Sequence, residues 1–371
     1  MGDVKKTGCK LRELLHSIGY LPIIESLTLG NIQKEPWTLC PASAVDALPS
    51  RVSSLIRLCH WGESITDPHG ILGADLAGEM VNSGILQSSK KGEWSLGGKV
   101  LIPYQGLFIL CDFWDPSIKV DNEHVWFGGD STWLTRVLPF TKSRKVLDLC
   151  TGTGIQGLVM AARGNCVTAV DINGKATRYA HFNGEINDLS ESFKVIQGNV
   201  FEPVLGVKYD LIIANPPFLP SLKGLEEEVF FVSGGTDGER IQNMIIEGLQ
   251  EHLTQKGEAM ILSGGFGDSD FPFVTSRLSR YAQKNNWKVN FIINTCCSAS
   301  EKIIKIAING ADKLGRDAMA TDLVPGATHY YSYLMHVQKD HIPGEVHVNK
   351  CNVSIRDVVK DIRNKKKGLI Y

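Results

Sequence analysis

The chain has 371 residues, of which 43% are hydrophobic, 21% are charged and 8% are aromatic, a composition that excludes a disordered or fibrous protein. Its 39 Lys and Arg residues against 40 Asp and Glu residues give a formal net charge of −1, which argues against a broad phosphate-binding surface. No apolar run reaches the roughly 20 residues of a spanning helix, and no apolar segment follows the first lysines, so we expect neither a membrane segment nor a secretory signal.

Residues 1–124 form the first predicted domain. Leucines and isoleucines recur at helical spacing in residues 10–18, 50–58 and 74–86. Apolar residues alternate on both sides of Lys90-Lys91-Gly92, which indicates a strand–turn–strand unit. Three helices followed by a hairpin are typical of a winged-helix-like domain. The third helix carries Asp75 and Glu79 but no basic residue, so we expect a structural or substrate-facing role rather than DNA binding.

Residues 125–371 form the second predicted domain, in which short β-rich runs alternate with helical stretches. That alternation is typical of an α/β fold. Helices are predicted over residues 155–162, 174–187 and 239–253. The seven predicted strands are 145–150, 167–172, 193–198, 210–215, 258–264, 287–294 and 330–337. A basic run at residues 363–367 belongs to a C-terminal tail and is interpreted as a solvated helix end.

The first strand of the second domain runs directly into a glycine-rich loop, Thr151-Gly152-Thr153-Gly154. Glycine allows a sharp turn and close approach of a ligand, and the start of the next helix offers free N–H groups. A dinucleotide-binding loop begins in the same way. Asp148 lies in the strand just before the loop, and a carboxylate there suits a cofactor with a cationic amino-acid end better than a pyrophosphate.

Two further strand ends carry candidate ligand contacts. Asp171 ends the second strand, where a carboxylate can bind both hydroxyls of a ribose, and Asn199 follows the third strand, where an amide can meet an adenine edge. An alternative is that Asp148 and Asp171 only cap helices or order loops. The predicted cofactor contacts are Asp148, Thr151, Gly152, Gly154, Asp171, Ile172, Asn199, Val200 and Asn215.

Residues 125–265 resemble the class I S-adenosylmethionine-dependent methyltransferases, because the glycine loop and the Asp171 strand end match their cofactor motifs. The resemblance implies a Rossmann-like seven-stranded methyltransferase sheet and S-adenosyl-L-methionine as the cofactor. In such families the segment before the first strand closes over the ligands, which makes Gly128, Asp130, Ser131 and Thr132 candidates for a lid. A plain helix start with Ser131 or Thr132 as its N-cap remains an equal alternative.

The fourth strand ends in Asn215-Pro216-Pro217-Phe218, the most specific motif of the chain. The prolines fix φ and lack N–H groups, so the carbonyls of Asn215 and Pro216 are expected to point outward. With the Asn215 side-chain oxygen, two acceptors can hold both hydrogens of an NH2 group, and Phe218 can stack on a planar amide or base. The alternative is a proline turn that only ends a strand.

This tetrapeptide resembles the Asn/Asp-Pro-Pro-Tyr/Phe motif of methyltransferases that act on amino or amide nitrogen. The segment 234–238, Gly-Gly-Thr-Asp-Gly, is similar to one found in release-factor-type protein glutamine N5-methyltransferases, which also have a helical N-terminal domain. Phe218 replaces their usual tyrosine, and the predicted hairpin also departs from them. The resemblance implies an N-methyltransferase whose catalytic residues are Asn215, Pro216, Pro217 and Phe218.

Three acceptors remain open: a protein glutamine amide, a small amine or peptide-like metabolite, and an exocyclic amine of an RNA guanine or adenine. The neutral charge favours a protein or a small molecule as the partner. A non-catalytic cofactor-binding module is a rival, which the intact 215–218 motif disfavours. His60 is interpreted as a packed or surface histidine rather than a base. Nine cysteines without zinc-like spacing predict a reduced, cytoplasmic protein without a metal site.

Overall fold

The computed structural model describes residues 4–114, 122–220, 234–299, 324–339 and 344–350. The chain divides into two compact units, one with the described residues up to Leu205 and the other with those from Gly206 onward. The division into domains at residue 125 stays a prediction, and the basic run at 363–367 lies outside the described residues. Within these ranges, no helix is both long and apolar enough to cross a membrane.

The first unit begins with a region of short helices packed through their apolar sides. Its helices are α1 (Val4–Ser17), α2 (Tyr20–Leu27), α3 (Ala42–Asp46), α4 (Ser50–Cys59), α5 (Pro68–Leu72) and α6 (Ala74–Asn82), with a 3-10 helix at Asn31–Gln33. The predicted helices correspond to α1, α4 and α6. The others have only five to eight residues, which is too short for a helical period to emerge from the sequence. His60 is buried.

Two hairpins follow these helices, whereas the sequence pattern predicted one. Strands β1 (Gln87–Ser88) and β2 (Trp94–Ser95) flank the predicted Lys90-Lys91-Gly92 turn. Strands β3 (Lys99–Tyr104) and β4 (Leu107–Asp112) are buried along their whole length. Gln105 and Gly106 connect them with φ values of 47° and 81°, the left-handed pair that a tight type I′ turn requires. Because both strands are buried, their sequences lack the alternation that marks a half-exposed strand.

The rest of the first unit is an α/β arrangement. Strands β5 (Lys145–Leu149), β6 (Cys166–Asp171) and β7 (Phe193–Gln197) are parallel and lie in that order. Its helices are α7 (Gly129–Val137), α8 (Ile155–Ala162) and α9 (Gly174–Ile186), with a 3-10 helix at Glu202–Val204. Because parallel strands end at the same edge, the loops after β5, β6 and β7 are neighbours.

The second unit has five described strands, in the order β8-β9-β11-β10-β12. They are β8 (Tyr209–Ala214), β9 (Leu253–Gly267), β10 (Trp287–Ser298), β11 (His329–Lys339) and β12 (Glu345–Lys350), with helices α10 (Arg240–His252) and α11 (Val274–Asn285). Strand β11 is antiparallel to β9 and β10, while β8 pairs with β9, and β12 with β10, in parallel. Trp287, Phe291 and Tyr333 are fully buried in this unit.

The predicted α/β class is confirmed, and each of the seven predicted strands is present. The structure adds β12, so the described α/β strands number eight rather than seven. Helix α8 has the predicted bounds, whereas α11 was not predicted. In α11 the buried residues are only Val274, Leu278 and Ala282, a single file at four-residue spacing that is a weak sequence signal.

Two glycines inside helices give a stability prediction. A Cβ added at Gly157 in α8 would lie 2.6 Å from the Phe193 ring and 3.0 Å from Asp148 Oδ2, whereas one added at Gly78 in α6 would meet no atom within 4 Å. Gly157→Ala should lower the free energy of unfolding by about 1–3 kcal/mol through overpacking. Gly78→Ala should raise it by about 0.5–1 kcal/mol, the usual helix gain. Urea unfolding that moves both variants in the same direction would contradict the packing at Gly157.

Candidate functional site

The glycine loop that follows β5 has a left-handed backbone at three positions. The φ values are 56° at Cys150, 54° at Gly152 and 85° at Gly154. A Cβ at Gly154 would lie 2.9 Å from the Phe193 ring, so both its φ and its surroundings require glycine. The Thr151 N–H donates to the Val170 carbonyl at 3.1 Å. The loop therefore bends from the end of β5 toward the end of β6.

Asp148 is buried, and its described hydrogen bonds stabilise the glycine loop. Its Oδ2 accepts hydrogen bonds from the Thr151 hydroxyl and from the Gly157 N–H, the latter at 2.9 Å. Burial raises the pKa of Asp148 to about 7, although both hydrogen bonds act in the opposite direction. A carboxyl in this position shapes the loop, and its direct contact with a cationic ligand stays a prediction.

Asp171 links the loops after β5 and β6. Its Oδ2 accepts from the Gly152 N–H at 2.8 Å, and its Oδ1 accepts from the Asn173 N–H at 2.9 Å. Burial raises the pKa of Asp171, and these N–H donors oppose that shift. An ionised carboxylate has about four acceptor positions, so the backbone donors Gly152, Asn173 and Ile172 leave acceptor capacity for a ribose.

The loop after β7 is joined to the same carboxylate residue, since Gly198 N–H donates to the Asp171 carbonyl at 2.9 Å. Asn199 donates its amide to Glu202 Oε1 at 3.0 Å. Val200 has a φ of 47°, which is a strained conformation for a β-branched residue. Ile172 is 54% exposed, and an isoleucine held in solvent at a strand end offers an apolar face to a planar ring.

The segment before α7 runs beside the glycine loop. A Cβ added at Gly152 would lie 4.0 Å from the Trp126 carbonyl oxygen, and the Asn173 side-chain amide donates to the Glu123 carbonyl at 2.9 Å. These contacts place Glu123 and Trp126 beside the two loops, and the lid role of Gly128, Asp130, Ser131 and Thr132 stays a prediction. Sequence reasoning missed Trp126 and Asn173, although Asn173 carries the signal of a helix N-cap and caps α9.

The alternative prediction, that Ser131 or Thr132 is the N-cap of a helix, is wrong. Helix α7 begins at Gly129, with Gly128 as the cap and no side-chain cap bond. Thr132 lies in the first turn, and its hydroxyl donates to the Gly129 and Lys34 carbonyls, both at 2.9 Å. Asp130 accepts from the Trp126 indole N–H at 3.3 Å. The helix therefore starts before both hydroxyl residues, and glycine is an accepted N-cap residue.

The segment 215–218, called the acceptor loop because it carries the predicted hydrogen-bond acceptors, follows β8 in the second unit. Pro216 is buried, whereas Asn215, Pro217 and Phe218 are partly exposed. The Tyr330 hydroxyl donates to the Phe218 carbonyl at 3.1 Å, and burial raises the pKa of Tyr330 well above its usual value, so the hydroxyl stays protonated and able to donate. Sequence reasoning missed Tyr330, which comes from the distant strand β11.

The segment 234–238 packs directly on the acceptor loop. The Gly234 N–H donates to the Leu219 carbonyl at 2.8 Å, and a Cβ at Gly238 would lie 2.6 Å from the Phe218 carbonyl oxygen. Gly238 also has a φ of 82°, so a larger residue would meet both strain and a clash. As predicted, this turn stands just ahead of a helix, α10.

A family model described as the methyltransferase small domain matches residues 128–266. A Methanocaldococcus jannaschii protein whose name assigns it provisionally to the protein N5-glutamine methyltransferases is 34% identical over 36% of this chain and 68% of its own length. The chain belongs to the methyltransferase small-domain family. It is an S-adenosylmethionine-dependent methyltransferase, and the glycine loop, the Asp171 carboxylate and the exposed Ile172 fit that cofactor.

The alignments with other similar proteins cover a smaller share of those proteins' length. The ribosomal protein uL3 glutamine methyltransferase of Bradyrhizobium diazoefficiens is 35% identical over 35% of this chain and 44% of its own. The release factor glutamine methyltransferase of Aquifex aeolicus is 27% identical over 45% and 58%, so this chain spans about half the length of these two relatives. A solved S-adenosylmethionine-dependent methyltransferase from Agrobacterium tumefaciens aligns with a TM-score of 0.41 at 19% identity, covering 69% of this chain and 77% of its own.

The raised pKa of Asp148 predicts a pH-dependent stability. Its pKa of about 7 in the folded state exceeds the ordinary value of 3.8, so the folded protein retains the proton that the unfolded chain has lost. Wild-type stability should therefore fall, relative to Asp148→Asn, as the pH rises from about 4 to about 7, and the difference should be constant above that range. Chemical unfolding at several pH values measures it, and a difference that is flat from pH 4 to 8 would contradict the buried carboxyl.

Substitution of Asp171 tests the predicted ribose contact. Asp171→Ala should weaken binding of S-adenosylhomocysteine by about 1.5–3 kcal/mol, the scale of a lost hydrogen bond to a charged group. Titration calorimetry measures the affinity, and Asp75→Ala in helix α6 is a control that removes a carboxylate elsewhere. Equal affinity of the Asp171 variant and wild type would remove Asp171 from the cofactor site.

Proposed function

We propose that this methyltransferase transfers a methyl group to the side-chain amide nitrogen of a glutamine in a protein. The observation that carries the proposal is the acceptor loop 215–218, whose Phe218 carbonyl is held by Tyr330 and whose neighbour Leu219 is bonded to Gly234. A proline turn that only ended a strand would not need these two hydrogen bonds. They support a loop that presents its acceptor groups in one fixed arrangement.

An amide nitrogen needs orientation more than it needs a strong base. Asn215 Oδ1 and the Pro216 carbonyl can each accept one hydrogen of an NH2 group, and the partly exposed Phe218 ring offers a face to the amide plane. When bound, S-adenosylmethionine supplies a methyl group on a sulfonium, which is a good leaving group. The new N–C bond forms as the C–S bond breaks, and the amide proton passes to water. Orientation of this kind can contribute several kcal/mol to the barrier.

The first unit would hold the cofactor through the ends of β5, β6 and β7. Asp171 would bind the ribose hydroxyls, Ile172 and Val200 would pack on the adenine, and Asn199 would meet its edge. The backbone from Thr151 to Gly154 would lie along the amino-acid end. The support for these roles is the set of contacts by which the three loops converge on Asp171.

The names of the relatives support a protein acceptor, because ribosomal protein uL3 and release factors are the substrates named for two of them. The near-zero net charge argues against RNA as the methyl acceptor, because proteins bind RNA mainly through phosphate contacts with Lys and Arg.

A labelling experiment tests the acceptor class. The purified chain is incubated with S-adenosylmethionine carrying a deuterated methyl group and with lysate fractions enriched in protein, RNA or small molecules. Mass spectrometry should find the label on a glutamine side chain in the protein fraction. Label in nucleosides or in a small amine would overturn the proposal, and so would the absence of label from every fraction.

Asn215 gives the kinetic prediction. Asn215→Ala should leave the affinity for S-adenosylhomocysteine nearly unchanged but lower the methyl-transfer rate by about 10²-fold or more, because a misplaced acceptor forfeits the advantage of orientation. Asn215→Asp is the matched control and should be milder, since a carboxylate oxygen still accepts the hydrogen that Asn215 Oδ1 would accept. Single-turnover kinetics measures the rate. Transfer by the alanine variant at the wild-type rate would reduce the 215–218 motif to a structural turn.

A further inference from the structure

One face of helix α9 follows the outer edge of strand β4. Four side chains at four-residue spacing, three within α9 and the last at its C-cap residue, lie on one face and contact three alternate residues of the strand. Lys175 and Tyr179 contact the buried carboxylate of Asp112, each at 2.7 Å. The remaining two are asparagines, and they bond to the backbone of β4. Side-chain amides thus take the place of another strand at this edge, which would otherwise expose N–H and C=O groups.

The first asparagine, Asn183, is fully buried and makes three hydrogen bonds. Its Oδ1 accepts from the Leu110 N–H at 2.8 Å, and its Nδ2 donates to the Leu110 carbonyl at 3.0 Å. The third bond runs from Nδ2 to the carbonyl of Thr153, in the glycine loop, at 2.9 Å. A single amide therefore joins the β3–β4 hairpin to the loop that follows β5.

The second asparagine, Asn187, repeats the same contact with the hairpin one turn later. Its Oδ1 accepts from the Phe108 N–H at 2.9 Å, and its Nδ2 donates to the Phe108 carbonyl at 2.8 Å. Its third bond differs, because Nδ2 donates to the backbone carbonyl of Asn183 at 2.7 Å rather than to the glycine loop. The two residues are thus matched in their attachment to the hairpin and differ in their contact with the loop.

The bond from Asn183 completes the fixation of one peptide unit in the glycine loop. The carbonyl of that unit belongs to Thr153 and is held by Asn183, while its N–H belongs to Gly154 and donates to the Thr151 carbonyl at 2.8 Å. This peptide unit joins Thr153 to Gly154, and the backbones of Gly152 and Gly154 are both left-handed. Because glycine has wide conformational freedom, external bonds must select one loop conformation.

We propose that Asn183 is a positioning residue for the cofactor: it holds the glycine loop in its binding conformation and makes the β3–β4 hairpin a part of the cofactor site. The proposal rests on the cofactor part of the proposed function and is independent of the methyl acceptor. Loss of the bond to Thr153 lets the loop sample other conformations, and the ligand must then select the competent one.

The matched variants Asn183→Asp and Asn187→Asp test this inference. Each keeps the oxygen that accepts from the hairpin N–H and removes the amide donors. Calorimetry with S-adenosylhomocysteine should give a dissociation constant at least tenfold higher for Asn183→Asp than for Asn187→Asp. Circular dichroism and the thermal unfolding midpoint monitor the fold. With S-adenosylmethionine at saturation, the methyl-transfer rate of Asn183→Asp should stay within a few fold of wild type, because the reacting groups are untouched.

Equal dissociation constants for the two variants, within twofold, would overturn the inference, because the hairpin attachment alone would then account for Asn183. If the buried carboxylate prevents folding, Asn183→Ala against Asn187→Ala provides the same comparison. Failure of both Asn183 variants to fold while both Asn187 variants fold would likewise overturn it in favour of a purely structural role. Absence of S-adenosylhomocysteine binding by the wild type would instead contradict the cofactor site itself.

Discussion

The hydrogen bond from the Gly152 N–H to the Asp171 carboxylate is the contact on which the cofactor region depends. It joins the loop after β5 to the end of β6 over 2.8 Å, and a hydrogen bond to a charged group contributes about 1.5–3 kcal/mol. Burial raises the pKa of Asp171, and the backbone donors Gly152 and Asn173 oppose that shift. The same contact therefore shapes the loop and favours the ionised form of the carboxyl.

Both ligand regions consist of backbone held in uncommon conformations by neighbouring side chains. In the first unit, Cys150 and Val200 have positive φ values, and such residues persist only where the surrounding structure fixes them; Asp148, Asp171 and Asn183 supply the bonds around the loop. In the second unit, Tyr330 donates to the Phe218 carbonyl and Gly234 donates to the Leu219 carbonyl. A loop that is already ordered loses less entropy when its ligand binds.

The sequence predicted those parts of the fold whose signals are local. Strand β5 and helix α8 were predicted within one residue because a short apolar run and a helical period flank the glycines. The β3–β4 hairpin was incompletely predicted, because burial on both faces erases alternation. The contacts of Asn183 and Tyr330 could not be predicted, since they join residues 30 and 112 positions apart. Sequence chemistry suggested a ligand contact for Asp148, whereas its hydrogen bonds to Thr151 and Gly157 depend on the three-dimensional turn.

We expect that the glycine loop already has its cofactor-binding conformation, with Asp171 positioned for the ribose. A crystal structure of the chain with bound S-adenosylhomocysteine would test this expectation. Both ribose hydroxyls should lie within hydrogen-bond distance of Asp171, the Gly152 N–H should still be bonded to that carboxylate, and left-handed φ values should be retained at Cys150, Gly152 and Gly154. A ribose bound away from Asp171, or a loop rebuilt so that Gly152 leaves Asp171, would contradict it.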